Sequence, residues 1–166
     1  MTRLMYAAWA AVNLIAGLAL TFLAPVFFAQ VAEPLAIGYL LLFAISTGLI
    51  QLRAKTEVRM QFLAIAAVSM VAALVIAITG AAATTSYQMV VSTWALGQGL
   101  LILLAALELK PKTSARRDLM MVSAASISLA ALLYLPEAPR YQLGFFSAYL
   151  LITGVLLGIA AATPSK

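Results

Sequence analysis

The chain has no cysteine and no histidine, and only five of its 166 residues are Asp or Glu. Without cysteine there is no disulfide, no thiolate metal ligand and no cysteine nucleophile. Without histidine the commonest metal ligand and the usual general base near neutral pH are missing too. The sequence therefore leads us to expect no metal and no cofactor. Charge is scarce altogether: 9% of residues are charged and 65% hydrophobic, with a mean hydropathy of +1.09, whereas a soluble domain runs near ~25% charged. The medium that suits such a chain is lipid.

What is present is a series of apolar runs of the length an α-helix needs to cross about 30 Å of hydrocarbon at ~1.5 Å per residue. Six such spans are predicted, over residues 4–24, 34–52, 59–80, 87–109, 118–135 and 142–162. They fill residues 1–166 as a single transmembrane domain with no room for a soluble one. Pro25, Glu33-Pro34, Gly80, Thr84-Thr85-Ser86, Pro111, Pro136, Pro139 and Pro164 punctuate the turns, where proline and glycine end helices and Ser/Thr cap them. A membrane β-barrel would alternate polar and apolar residues, and these runs do not. Ala29 to Ala32 offers a signal-peptidase-like small-residue pair. The first apolar run is longer than the ~7–15 residues of a signal core, so it is expected to stay as a span.

The net charge of +5 is arranged by position. Arg3, Arg53, Lys55, Arg59, Lys110, Lys112, Arg116, Arg117 and Lys166 fall at the N-terminus, the second and fourth loops and the C-terminus, all on one membrane face. Arg140, Glu33 and Glu137 lie on the other. The positive-inside rule then places both termini in the cytoplasm, and it makes the basic balance a topology signal instead of a nucleic-acid footprint. Juxtamembrane Lys/Arg clusters also attract anionic lipid.

The layout repeats three times. Arg3, Arg59 and Arg117 precede the odd spans at separations of 56 and 58 residues, and Lys55, Lys110 and Lys166 follow the even spans at 55 and 56. The units, residues 1–57, 58–115 and 116–166, are each one helical hairpin in the same orientation. A pseudo-three-fold axis along the membrane normal follows, unlike the inverted repeats behind alternating access in many transporters. Inside the membrane Asn13, Ser69 and Ser126 recur near the middle of the odd spans, with Gly17, Ala73 and Ala130 four residues on. Small residues let helices approach while Ser and Asn bond across the contact. Gly154-Val-Leu-Leu-Gly158 is a further close-packing motif, suited to internal packing or to dimerisation.

No acid or base falls near a midplane. Glu108, at the end of the fourth span, has Lys112 four residues on as its expected partner, and Glu137 is expected to pair with Arg140. Glu33 and Glu137 lack a scaffold for paired-carboxylate chemistry, and no phosphate loop, HExxH or nucleophile elbow occurs. Tyr6 and Trp9 at one end of the first span, with Phe27, Phe28, Tyr87, Tyr134 and Tyr141 at outer ends, match interface belts. Gln98 stands between Gly97 and Gly99 inside an apolar run. A buried amide needs a partner, for which Asn13 is the candidate. Gln98 serves either to hold helices together or to line a solute path with Asn13, Ser92, Thr93 and Thr153.

Six short spans in three hairpins, with Gly17-Leu-Ala-Leu-Thr-Phe-Leu-Ala-Pro25, Gly38 and Gly48, and a third-repeat echo in Leu135-Pro-Glu-Ala-Pro139, Gly144 and Gly154, resemble the HdeD-like acid-resistance membrane proteins of bacteria. The middle repeat departs from the pattern, with Gly80-Ala-Ala-Ala-Thr-Thr85 and no proline in its outer turn. The resemblance implies an inner-membrane protein associated with acid or envelope stress and brings no catalytic residues with it.

The function expected is that of a non-enzymatic, all-α integral membrane protein acting by contact with lipid, a second copy or a partner membrane protein. A small transporter or channel for a neutral or amphipathic solute is the alternative. A fluorescent protein fused after Lys166 should light up in the cytoplasm, and alkaline phosphatase fused at Ala83 should be active outside it. The opposite pair of readouts would invert the topology.

Overall fold

In this computed structural model the described residues are 3–54, 56–79, 84–135 and 139–163, with side chains described outside 24–32, 84–87 and 139–141. All regular structure among them is α-helical: α1 (Arg3–Arg53), α2 (Arg59–Thr79), α3 (Thr84–Glu108), α4 (Ser114–Leu133) and α5 (Pro139–Ala162). Lys55, Gly80, Pro136, Glu137, Pro164 and Lys166, and the side chains of Pro25, Phe27, Phe28, Thr84, Thr85, Ser86, Tyr87, Pro139, Arg140 and Tyr141, lie outside the described set.

α1 is helical without a break where Pro25 and Glu33-Pro34 predict a stop. Drawn straight, it would hold Trp9 and Thr47 about 57 Å apart at ~1.5 Å per residue. The Trp9 indole instead donates to Thr47 Oγ1 over 2.7 Å. The chain therefore turns back between two membrane-length arms, Arg3–Leu23 and Glu33–Arg53. In lipid a backbone that leaves the helix strands its N–H and C=O groups, which favours helical bonding up to and through the bend.

Counting those arms, five stretches are long and apolar enough to cross a membrane, the others being Arg59–Thr79, Gln88–Glu108 and Gln142–Ala162. α4 is the exception. Arg116, Arg117 and Asp118 occupy its first turns, leaving residues 119–133 as an apolar stretch of only about 22 Å. Its start is set by Thr113, whose hydroxyl accepts from the Arg116 backbone N–H, as an N-cap does. The expected Glu108–Lys112 pair does not form. α3 ends at Glu108, Lys112 takes a left-handed φ of 67° beyond Pro111, and the i,i+4 geometry is lost. Glu108 accepts a hydrogen bond from Gln61 Nε2 on α2 instead.

Each helix buries one stripe at three- and four-residue steps. In the first arm it runs Met5, Tyr6, Trp9, Ala10, Asn13, Gly17 and Leu20, while Leu4, Ile15, Leu18 and Phe22 point outward. The outward face is apolar as well, as suits a helix long and apolar enough to cross a membrane. Consecutive segments pack side by side, and the first arm packs against α5, which closes the bundle. That closure is tight. A Cβ added to Gly154 would lie 2.8 Å from Leu14 Cγ and 3.1 Å from Leu14 N, and one added to Gly17 would meet Leu151 at 3.0 Å. Gly158 faces Ala10, so Gly154-xxx-Gly158 serves packing within the chain. Ala73 and Ala130 are buried as well.

Gly154→Ala should destabilise the protein by about 1–3 kcal/mol through overpacking, read as thermal unfolding in detergent. Gly144→Ala, where an added Cβ meets nothing within 4 Å, should not. Equal tolerance at both positions would contradict the close approach.

Candidate functional site in the bundle core

Two features occupy the interior. One is a column of rings. Phe62 of α2 stands edge-on to Trp9 at 5.5 Å, Trp9 lies 4.8 Å from Phe43, and Phe43 lies 5.7 Å from Tyr39. The column ends in a triad of Tyr39, Trp94 and Phe146, mutually edge-to-face at 5.7–6.1 Å. Each ring of the triad comes from a different even-numbered span. Edge-to-face pairs add about 0.5–1.5 kcal/mol each beyond their buried area. Trp9 and Tyr6, expected in an interface belt, are instead fully or almost fully buried, whereas Tyr134 is exposed at the end of α4. Trp9 moves inward because Thr47 gives its N–H an acceptor there.

The other feature is polar. Asn13, Ser69, Gln98, Ser126 and Thr153 are all buried, at no more than 2% exposure. A hydroxyl has one proton, so the direction of each chain of bonds can be worked out. Ser126 Oγ donates to Val122 O at 2.9 Å, which obliges Tyr149 to be the donor in their 2.9 Å contact, and Gln98 Nε2 in turn donates to Tyr149 Oη at 3.4 Å. Likewise Asn13 Nδ2 donates to Thr153 Oγ1 at 3.0 Å, and Thr153 to Tyr149 O at 2.7 Å. The Trp94 indole donates to Ser69 Oγ at 2.9 Å, and Ser69 to Ile65 O. Three relays thus begin at an N–H on one helix, pass through one hydroxyl, or two in the case of Gln98, and end on a backbone carbonyl. Ser123 adds a bond to Gly99 O at 2.8 Å, made possible by the bare face of Gly99 against Ser126 and Ile127.

The predicted residues therefore fall into two groups. Asn13 with Thr153, and Ser126 with Gln98, converge on Tyr149, while Ser69 stands apart with Trp94. Asn13 and Gln98 do not bond each other, because each finds a nearer partner on α5. Ser92 is buried and bonds Met89 O, but Thr93 faces outward, off any interior path. Sequence reasoning missed Tyr149. The available signal was its place in mid-span, away from the ends where tyrosine belts lie.

Among the described residues the core offers N–H, O–H and C=O groups and no carboxylate. Among the described residues no three Asp, Glu, His or Cys side chains gather as metal ligands. The buried side-chain oxygens without a partner among the described residues are Tyr6 Oη, Asn13 Oδ1, Tyr39 Oη, Gln61 Oε1 and Gln98 Oε1. The chain matches no protein-family model, no curated protein and no solved structure.

Tyr149→Phe cuts the central relay and should cost roughly 0.6–1.7 kcal/mol, the range measured for bonds between membrane helices. Tyr39→Phe removes a hydroxyl with no partner and should cost nothing measurable. Denaturant titration of both variants in mixed micelles decides, and equal losses would show the relay to be wrongly drawn.

Proposed function

We propose that this chain is a non-enzymatic integral membrane module that acts through its helix surfaces, by contact with lipid, with a second copy or with a partner membrane protein. One observation carries the reading: most of the polar groups inside the bundle are engaged with one another and with backbone carbonyls. The outward faces are lined by large apolar side chains such as Ile15, Phe22, Leu42, Leu74, Ile78 and Ile159. Reactive chemistry has little to work with, since the chain lacks histidine and cysteine and its described acids, Glu33, Glu57, Glu108 and Asp118, stand at the limits of the membrane-length stretches, in a connecting turn or near the start of α4.

The proposal includes three tandem hairpins about a pseudo-three-fold axis. The Tyr39, Trp94 and Phe146 triad supports it, with one ring from the even span of each unit. Both termini are assigned to the cytoplasm of a bacterial inner membrane on the distribution of Lys and Arg. A role in envelope or acid stress extends the reading through the HdeD-like resemblance and rests on the residues that carry it.

A second reading has its own support. Asn13 Oδ1, Gln98 Oε1 and Tyr39 Oη are buried acceptors without donors, a set suited to a neutral solute bearing N–H or O–H groups. Such a protein would be a small transporter or channel. The experiment that separates the two combines native mass spectrometry of gently extracted protein with uptake assays in reconstituted vesicles over a panel of neutral and amphipathic solutes. The module reading expects a defined homo-oligomer, partner complex or lipid complex and no flux. A partnerless monomer with measurable uptake would overturn it.

A further inference from the structure

Arg117, Met121, Ala124, Ser128 and Ala131 follow one another along α4 at alternating four- and three-residue steps, and all five are exposed. Two observations bear on what covers this stripe. Ser128 forms no hydrogen bond among the described residues, whereas Ser69 and Ser126 bond the carbonyl one turn back and Ser123 reaches Gly99 O. Ser128 is thus a hydroxyl aimed outward near the middle of a helix, where hydrocarbon supplies no acceptor. The second observation is length. The apolar residues 119–133 reach about 22 Å against ~30 Å of hydrocarbon, and a short span is accommodated by thinning the bilayer, by snorkelling flanking residues or by association with another span.

Acyl chains cover an apolar face but leave Ser128 unbonded. A second copy supplies what is missing, because a hydroxyl both donates and accepts and so is its own complement across a two-fold axis. Copies inserted in one orientation present their α4 helices parallel, and alternating three- and four-residue steps are the spacing of a parallel helix seam. Ala124 and Ala131, on either side of Ser128, let the two backbones approach. We propose that α4 pairs with α4 of a second copy along Met121, Ala124, Ser128 and Ala131, one Ser128 hydroxyl donating to the other at the axis. Arg117 falls at the aqueous end of the seam, with its Nε 3.7 Å from Asp118 Oδ1, so the meeting of like charges there is offset and screened by water. The inference deepens the module reading by naming the second copy as the partner of α4, and it rests on that reading for the placement of α4 across the membrane.

Because the chain holds no cysteine, one introduced thiol reports on one position. The full chain is placed in phosphatidylcholine vesicles at low protein-to-lipid ratio, oxidised with copper phenanthroline and run on a non-reducing gel. Ser128→Cys and Ala124→Cys should give disulfide dimers, which require Cα atoms within about 7 Å of each other. Ala77→Cys, at an exposed position of α2, should stay monomeric. Energy transfer between labelled copies, followed on dilution with lipid, measures the same pairing without a thiol at the seam. There Ser128→Ala should weaken dimerisation about threefold, the equivalent of ~0.6 kcal/mol, and Ser128→Leu about tenfold or more by holding the backbones apart. Ser128 points away from the bundle, so both variants should unfold at the wild-type temperature. Equal cross-linking at Ala77 and Ser128 would reduce the contact to random encounter and overturn the pairing, as would monomers at both Ala124 and Ser128 or wild-type dimerisation in Ser128→Leu. None of these failures touches the module reading, which retains lipid and partner proteins and falls only to solute uptake by a partnerless monomer.

Discussion

A hydrogen-bond donor buried in an apolar bundle is costly unless it ends on an acceptor within the protein, and much of this interior is arranged around that constraint. An unsatisfied amide or hydroxyl costs several kcal/mol when no water can reach it. Helix formation answers it for the backbone. For the side chains the answer is a set of relays in which Asn13, Trp94 and Gln98 each donate to a hydroxyl, and Thr153, Ser69 and Ser126 pass the donation to a carbonyl one turn back in their own helices. Each bond is modest, ~0.6 kcal/mol on average between membrane helices. Their directionality matters more than their sum, because a rotated or slipped helix would leave the donors that reach another helix, Asn13, Trp94, Gln98 and Tyr149, without acceptors.

Close approach makes the relays reachable. Short side chains such as serine reach another helix only where backbones nearly touch, and Gly99, Gly17 and Gly154 create such places. Ser123 bonds the carbonyl of Gly99 itself. The first arm meets α5 through Gly17 and Gly154, and Asn13 reaches Thr153 at that seam. Packing and hydrogen bonding therefore share positions, and the column of rings from Phe62 to Phe146 fills the volume that the close contacts leave along the axis.

Much of the helical architecture is legible in the residues. Apolar runs near the width of a bilayer mark where helices run, although α1 continues through Pro25 and Pro34 and α3 already begins at Thr84. Asn13, Ser69, Ser126, Gln98 and Thr153 stand out as polar residues in apolar runs, and all are buried. The pairings were less legible. Asn13 and Gln98, the two amides, suggest each other, yet each bonds a hydroxyl on α5, because a helix offers partners only along the stripe it turns toward its neighbour. Trp9 and Tyr6 read as interface anchors by position along the chain, and burial reverses that reading. Glu108 and Lys112 are spaced as a helical pair, but the turn at Pro111 and Lys112 ends the helix between them.

Composition and run length by themselves determined a helical chain suited to lipid and located its polar interior positions, since the cost of exposed backbone in hydrocarbon leaves little choice of secondary structure. Only the tertiary structure decided which stripe of each helix turns inward, that Tyr149 gathers two of the relays, and that Gly154 and Gly158 serve the closure of the bundle. The physical reason is that both faces of these helices are apolar, so hydrophobicity cannot distinguish a lipid-facing side from a packed one. That distinction rests on the fit of small residues and single hydrogen bonds between helices far apart in the chain.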